Sequence, residues 1–340
     1  AILDNGDLKC WGQDTYHQLG DGGGGSSGTN TNAPSSTAID LGTGRTAVAV
    51  SAGNRHTCAI LDNGDLKCWG ANSLGQLGDG STSIKTAPSS TAIDLGTGRT
   101  AVAVVAENYY TCAVLDNGEA KCWGYDGFGQ LGDGGSNTDT NAPSSTAIDL
   151  GTGRTAVAVS AGNGHTCAIL DNGEAKCWGY DSNGQLGDGG SNTNTNAPSS
   201  TAIALGSGRT AVALSAGSAF TCAILDNGDM KCWGTDYYGQ LGNGGTTAEQ
   251  GSPVAVSGSD TWDSTTIASS VSGSGSGGGM TNVTSAISCV ATPSLPAGLS
   301  IDSNTCTISG TPTAEAVNAT YEINATISDI TYLASIYLSA

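Results

Sequence analysis

The stretch Cys58–Gly70, C-A-I-L-D-N-G-D-L-K-C-W-G, decides the fold, because near-copies stand at 1–12 (without the first Cys), 112–124, 167–179 and 222–234. The tryptophans set the period: Trp11, Trp69, Trp123, Trp178 and Trp233 follow one another at 58, 54, 55 and 55 residues. A repeat of that length builds stacked supersecondary units rather than one globular core. Within the unit, two short runs flank Asp62-Asn63-Gly64, and a three-residue loop ending in Gly predicts a bulged hairpin. That register sets Leu61 opposite Asp65, Ile60 opposite Leu66 and Cys58 opposite Cys68. A two-residue Asn-Gly loop would face Cys58 with Trp69 instead, so the cysteines help to choose the register.

Outward from the hairpin comes a glycine loop, Gly75-Gln76-Leu77-Gly78-Asp79-Gly80, with equivalents at 129–134, 184–189 and 239–244; the first copy has His17 where the others have Gly. A polar Ser/Thr/Asn stretch follows, then A-P-S-S-T-A-I-D-L, a G-T-G-R turn and T-A-V-A-V. In Thr46–Val50 Ala occupies one face and Val the other, which predicts a strand covered on both sides. The small Ala side chains would let such strands crowd near an axis. Each period thus supplies about four short strands and no helix, the content of one propeller blade.

The chain has 340 residues, room for two domains, and a net charge of -19. Its 11 Lys and Arg are scattered one or two per repeat, which argues against a nucleic-acid partner. No apolar run approaches the length of a membrane span. Among the 11 cysteines, Cys58 and Cys68, Cys112 and Cys122, Cys167 and Cys177, and Cys222 and Cys232 share one spacing, and Cys289 and Cys306 form a fifth candidate pair. Cys10 is left over; its partner would stand just before Ala1, so the chain is expected to continue upstream, where a secretory leader would lie. Repeated disulfides imply an oxidising compartment, extracellular or at the cell surface.

H-T-C-A-I-L-D-N-G at 56–64, K-C-W-G at 67–70 and G-Q-L-G at 75–78 resemble the regulator-of-chromosome-condensation repeat family, over residues 1 to about 256. The resemblance implies an all-β chain with a β-propeller, typically of seven blades, of which five hairpins are visible and about two would lie upstream. The founding nuclear members act on a small GTPase and on chromatin. This sequence departs from them in charge, in disulfides and in lacking a basic tail, and looks closer to secreted microbial propellers, among which a β-lactamase inhibitor uses the fold purely to bind protein.

The repeats end after Ser257, giving domains 1–257 and 258–340. Ser264–Gly279 is mostly Ser and Gly; S-L-P-A-G-L-S-I-D at 294–302 and C-T-I-S-G-T-P-T at 306–313 then resemble the immunoglobulin-like domain of large microbial surface proteins. Alternating Tyr321, Ile323, Ala325 and Ile327, and then Tyr332–Leu338, read as the closing strands of a small β-sandwich.

Reactive chemistry finds little support. His56 and His165 precede Thr-Cys, but Tyr110 and Phe220 hold the equivalent places, and a general base is not exchanged for Phe. His17 is a lone loop residue with no nucleophile constellation around it. G-T-G-R-T-A at 42, 96 and 151 nominally fits a dinucleotide fingerprint, yet a strand follows where a helix is needed. C-x9-C fits no common zinc spacing. No cofactor is expected, with calcium the one candidate cation: Asp21, Asp79, Asp133 and Asp188 recur in the L-G-D-G loops, although the fifth copy has Asn243 and Asp also serves such turns itself. Sequons at Asn282, Asn318 and Asn324 fall in the C-terminal domain and none in the repeats, as suits an exposed glycosylated module.

These observations predict a non-catalytic extracellular structural or cell-surface protein, a stapled propeller scaffold assembled into a filament or surface layer with copies of itself or other surface proteins. The alternative is a secreted adhesin or inhibitor that holds protein or glycan on the loops of one face. The residues after K-C-W-G vary between repeats and place Tyr16, Tyr125, Phe128, Tyr180, Tyr237 and Tyr238 on a candidate binding rim. The competing reading is that they cover blade edges.

Overall fold

The structure is a computed structural model that describes residues 1–23, 28–190, 192–246 and 249–258, together with the strands of the C-terminal unit. The chain divides into two compact units, one of repeats and one of C-terminal strands.

In the first unit, three-stranded antiparallel sheets recur: β1 (Ala47–Ala52), β2 (His56–Leu61) and β3 (Leu66–Gly70); β4 (Ala101–Glu107), β5 (Tyr110–Leu115) and β6 (Ala120–Gly124); β7 (Ala156–Ala161), β8 (His165–Leu170) and β9 (Ala175–Gly179). A fourth sheet holds β10 (Ala211–Ala216), β11 (Phe220–Leu225), β12 (Met230–Thr235) and β13 (Glu249–Ala255). The hairpin register is the one the cysteines select, with Ile60 paired to Leu66 and Cys58 to Cys68. The Leu61 amide donates to the Asp65 carbonyl, and Gly64 closes the loop at φ 80°, a conformation glycine adopts without strain.

The expectation of four strands per period needs correction. In the first three sheets the fourth strand is a single bridge in the polar stretch, Gly70 to Lys85, Gly124 to Thr140 and Gly179 to Thr195. Among the described residues only the fourth sheet extends it into a full strand, β13. The A-P-S-S-T-A-I-D-L segment forms no strand; it is tied to the sheet by the amide of its isoleucine, as Ile93 N–H donates to the Leu66 carbonyl at 2.9 Å. The T-A-V-A-V strand is also not covered on both faces. A bulge between Ala47 and Ala49 takes Val48 out of the ladder, and Val48, Val102 and Val157 are about 60 % exposed.

The core lies between consecutive sheets. Cys58, Ile60 and Leu66 of one sheet pack with Ile93 and Leu95 of the connection and with Ala113, Leu115 and Trp123 of the next. That is why every residue of β2, β5 and β8 is buried. A single carbonyl seals each seam: Gln76 O accepts the Trp123 indole N–H at 3.1 Å and the Thr111 hydroxyl at 2.8 Å. Gln130 O and Gln185 O do the same for Trp178 with Thr166 and for Trp233 with Thr221. The lysine of K-C-W-G spends its charge on the backbone: Lys121 Nζ donates to the Leu95 carbonyl at 3.0 Å.

The structure bonds Cys58 to Cys68, Cys112 to Cys122, Cys167 to Cys177 and Cys222 to Cys232, and Cys10 is free. The fifth bridge expected from the sequence, between Cys289 and Cys306, is not among the bonds of the described residues, because Cys306 lies outside them. Each observed bridge joins residues ten apart, and chain entropy assigns such a short loop about 2–3 kcal/mol, an upper bound where the turn already favours the hairpin. Peptide mapping of the unreduced chain should therefore recover four intra-hairpin linkages in the repeats, and reduction should lower the unfolding midpoint. Free thiols at Cys58 and Cys68 would contradict the pairing.

In the second unit β14 (Ile287–Thr292) pairs with β17 (Ala319–Ile327), which pairs with β18 (Ile330–Leu338), while β15 (Leu299–Ile301) pairs with β16 (Ile308–Gly310). Cys289 stands in β14 opposite Ala325. The two closing strands fall where the alternation in 321–338 places them. Among the described residues no helix is long and apolar enough to cross a membrane.

Candidate functional site

The turn between the first two strands of each sheet differs from repeat to repeat: Gly53-Asn54-Arg55, Glu107-Asn108-Tyr109 and Gly162-Asn163-Gly164. The asparagines join neighbouring sheets edge to edge, Asn54 Nδ2 donating to Asn108 Oδ1 at 3.0 Å and Asn108 Nδ2 to Asn163 Oδ1 at 2.9 Å. Next to this ladder lie the aromatics from the loops after K-C-W-G. Tyr125 meets Phe128 edge-on at 5.9 Å between ring centres, and Phe128 meets Tyr180 at 4.7 Å. Arg55 stands over Tyr16 at 4.4 Å and reaches Tyr109 at 5.6 Å, two cation–π contacts that hold the guanidinium between rings. Tyr109, Tyr125, Phe128, Asn108, Asn163 and Leu74 line a cavity of about 250 Å³.

Of the six rim residues predicted from sequence, Tyr16, Tyr125, Phe128 and Tyr180 thus take part in this surface. Tyr237 and Tyr238 stand exposed on the last loop, outside its ring contacts. Arg55, Asn108 and Tyr109 were missed. The signal was available as variation before the second strand, where Arg55 and Tyr109 replace the Gly164 of another repeat. Glu107 is the other anomaly: it occupies the place of Gly53 and Gly162, is buried, and burial pushes its carboxyl up to about 7.

The histidines are seam residues. Thr111 gives its one hydroxyl proton to Gln76 O, so the 2.8 Å contact from His56 Nε2 must be donated by the ring, which leaves Nδ1 buried and bare. His165 repeats this with Thr221 at 2.9 Å. Burial holds His56 down to about 3 and His165 down to about 4, so both are neutral. Tyr110 solves the same position by donating to the His165 carbonyl at 2.6 Å. His17 is buried, not free in its loop, and takes the left-handed conformation, φ 60°, that Gly75 has in the next copy.

The loop carboxylates serve turns. Asp21, Asp79, Asp133 and Asp188 each accept the amide two residues on through Oδ1, and Asn243 does the same. In the C-terminal unit, Cys306 and the sequon residues Asn282 and Asn318 lie outside the described residues. Cys289 and Asn324 fall in β14 and β17, opposite Ala325 and Val290, their side chains undescribed.

Comparison with known proteins agrees with this architecture. Two models described as "Regulator of chromosome condensation (RCC1) repeat" match, one at 47–76, 101–130, 156–185 and 211–240, the other at 5–60, 117–169 and 172–224, together more than half of the chain. The chain belongs to the regulator-of-chromosome-condensation repeat family. A model described as "Putative Ig domain" matches 243–337, so its start overlaps β13, which pairs with β12 of the repeats. Human HERC2, an E3 ubiquitin-protein ligase, is 28 % identical over 76 % of this chain but 5 % of its own length. The ultraviolet-B receptor UVR8 of Arabidopsis thaliana is 30 % identical over 72 % of this chain and 52 % of its own. The chain therefore spans about half or much less of these relatives. Among solved structures, human WBSCR16 superposes with a TM-score of 0.62 at 22 % identity, covering 72 % of this chain and 60 % of that one. Prp20p of Saccharomyces cerevisiae gives 0.61 at 16 %, covering 76 % and 61 %. At such identities the likeness carries the fold, and the fold is the RCC1-type β-propeller, all-β.

Proposed function

We propose that the chain is a non-catalytic extracellular binding scaffold that presents the Tyr109–Tyr125–Phe128 face to a macromolecular partner. The observation that carries this reading is the convergence of repeat-specific aromatics and unusual loop residues on one cavity, on a framework whose other positions repeat almost unchanged. The cavity is smaller than the roughly 300–1,000 Å³ of small-molecule sites, so it suits one side chain or one sugar ring of a larger partner. Tyr faces supply apolar area at low entropic cost, and the Asn amides supply donors and acceptors for polar edges. Four disulfides in the repeats favour an oxidising setting.

Screening the intact chain against glycan and extracellular-protein arrays should give a ligand whose binding falls at least tenfold in Tyr109→Ala/Tyr125→Ala and stays unchanged in Tyr238→Ala. Equal loss in both variants, or in neither, would remove the assignment.

A second reading, a structural scaffold built into a filament or surface layer, is favoured by one feature. Val48, Val102, Val157 and Val212 stand exposed at equivalent places and form a periodic apolar row that another protein surface could cover. Electron microscopy of the protein in its native setting separates the two: regular fibres or a lattice support the scaffold, dispersed particles the binding module.

A further inference from the structure

Three residues after each of the five repeat tryptophans stands Asp14, Asp126, Asp181 or Asp236, with Asn72 in the second repeat. The four aspartates are fully buried. Each Oδ1 accepts the amide of the leucine five residues on, at 2.9 Å for Leu131 and Leu186. Among the described residues each Oδ2 is buried with no hydrogen-bond partner. An ionised oxygen without a donor or cation is among the costliest groups to bury, so such an oxygen calls for a proton, a donor or a cation.

The Asn72 loop shows what those oxygens face. Asn72 Nδ2, which stands where Oδ2 does elsewhere, donates to Asp79 Oδ1 at 3.1 Å, to the Ser81 carbonyl at 3.0 Å and to the Ser83 carbonyl at 3.2 Å. Lys85 Nζ sits 3.0 Å from Asp79 Oδ2. The surroundings are all acceptors, satisfied here by an amide and an ammonium. In the other loops both donors are gone. Thr31, Thr140 and Thr195 occupy the bridge position of Lys85, and their Oγ1 atoms are also buried without partners among the described residues. Asn72 with Lys85 has been exchanged as a pair for Asp with Thr, which removes positive character and keeps the oxygens.

We infer that the loops containing Asp126, Asp133 and Thr140, and Asp181, Asp188 and Thr195, each bind a calcium ion. The donor set is carboxylate, hydroxyl and carbonyl oxygen, the set a hard cation prefers. Among the described residues no group of three His, Cys, Asp or Glu side chains could hold a metal ion, so each proposed site rests on two carboxylates with hydroxyl and carbonyl oxygens, and offers no thiolate or imidazole for zinc or copper. Burial pushes the Asp126 carboxyl up to about 6, with the Asp133 and Asp139 charges adding to it. The fifth loop, with Asn243 for Asp133 and Gln250 for Thr140, lacks the set and is expected to bind nothing.

The test is equilibrium dialysis of calcium against the intact, chelator-stripped chain at up to about 10 mM, tenfold above the weakest affinities of extracellular calcium modules. Asp126→Asn/Thr140→Lys brings the amide and ammonium of the second loop into the third, and should bind one ion fewer than the unaltered protein while keeping its circular dichroism. Asp181→Asn/Thr195→Lys should do the same independently, and calcium should raise the unfolding midpoint of the unaltered protein more than that of either variant. No calcium bound by the stripped protein, or an unchanged count in both variants, would overturn the inference.

Discussion

Gly132→Ala should destabilise the repeat unit by about 3–5 kcal/mol, comparable to removing a core tryptophan outright. Gly132 has φ 71°, and an added Cβ would collide with the indole nitrogen of Trp178. The left-handed backbone alone costs a non-glycine residue roughly 1–2 kcal/mol. The indole cannot retreat, because it is fully buried and its N–H is held by Gln130 O at 3.0 Å. Trp178→Ala should lose about as much by opening a cavity between two sheets, while Trp178→Phe should lose less, because Gln130 O keeps the Thr166 hydroxyl. Denaturant unfolding followed by circular dichroism measures all three. A cost below about 1 kcal/mol for Gly132→Ala would mean that the seam is not close-packed.

His56→Phe should flatten the loss of stability in acid. In the folded chain His56 is held down to about 3, against an ordinary value of 6.5. A depressed base contributes stability that is complete above about 6.5 and is lost as pH falls toward 3, since the unfolded chain takes up a proton that the buried ring refuses. Each unit of pH in that window is worth about 1.4 kcal/mol, so by pH 4.5 the site alone costs roughly 2–3 kcal/mol. Glu107, Asp126 and Asp181, raised to about 7, 6 and 6, act in the opposite direction by taking up protons on folding. Their effects cancel when the variant is compared with the unaltered chain at each pH. Phe is already accommodated in this slot as Phe220. The stability difference should therefore move in favour of the variant by about 1.4 kcal/mol per unit between pH 6.5 and 4; a constant difference would place the titration elsewhere.

The hairpins, the disulfide pairing within them and the stacking of sheets were legible in the sequence because each is written several times, and a register that satisfies one copy must satisfy all. Cys289 and Cys306 have no such second copy, and their pairing rests on spacing alone. The glycine-loop seam was legible only as a motif. That Gln76 uses its carbonyl rather than its side chain to hold Trp123 and Thr111 depends on which sheet faces which, and no spacing within one repeat encodes that. The exposure of Val48 was hidden by a one-residue bulge, which period-two reading cannot detect. The binding face was half visible. Tyr125 and Phe128 stood out in a variable loop, whereas Tyr109 and Asn108 lie 16 or more residues away in the chain and meet them through the fold alone. The buried aspartates were passed over in favour of the exposed ones beside them, because their isolation from donors is a property of three dimensions.

The bridges also govern how the chain would respond to being pulled. Each disulfide spans ten residues, so a hairpin that is torn from its neighbours and stretched still withholds the segment between its cysteines, about 35 Å of contour at full extension. Under load the repeats would pay out length in short steps confined to the loops and connections, and a lost seam would leave each covalently closed hairpin ready to dock again when the tension fell.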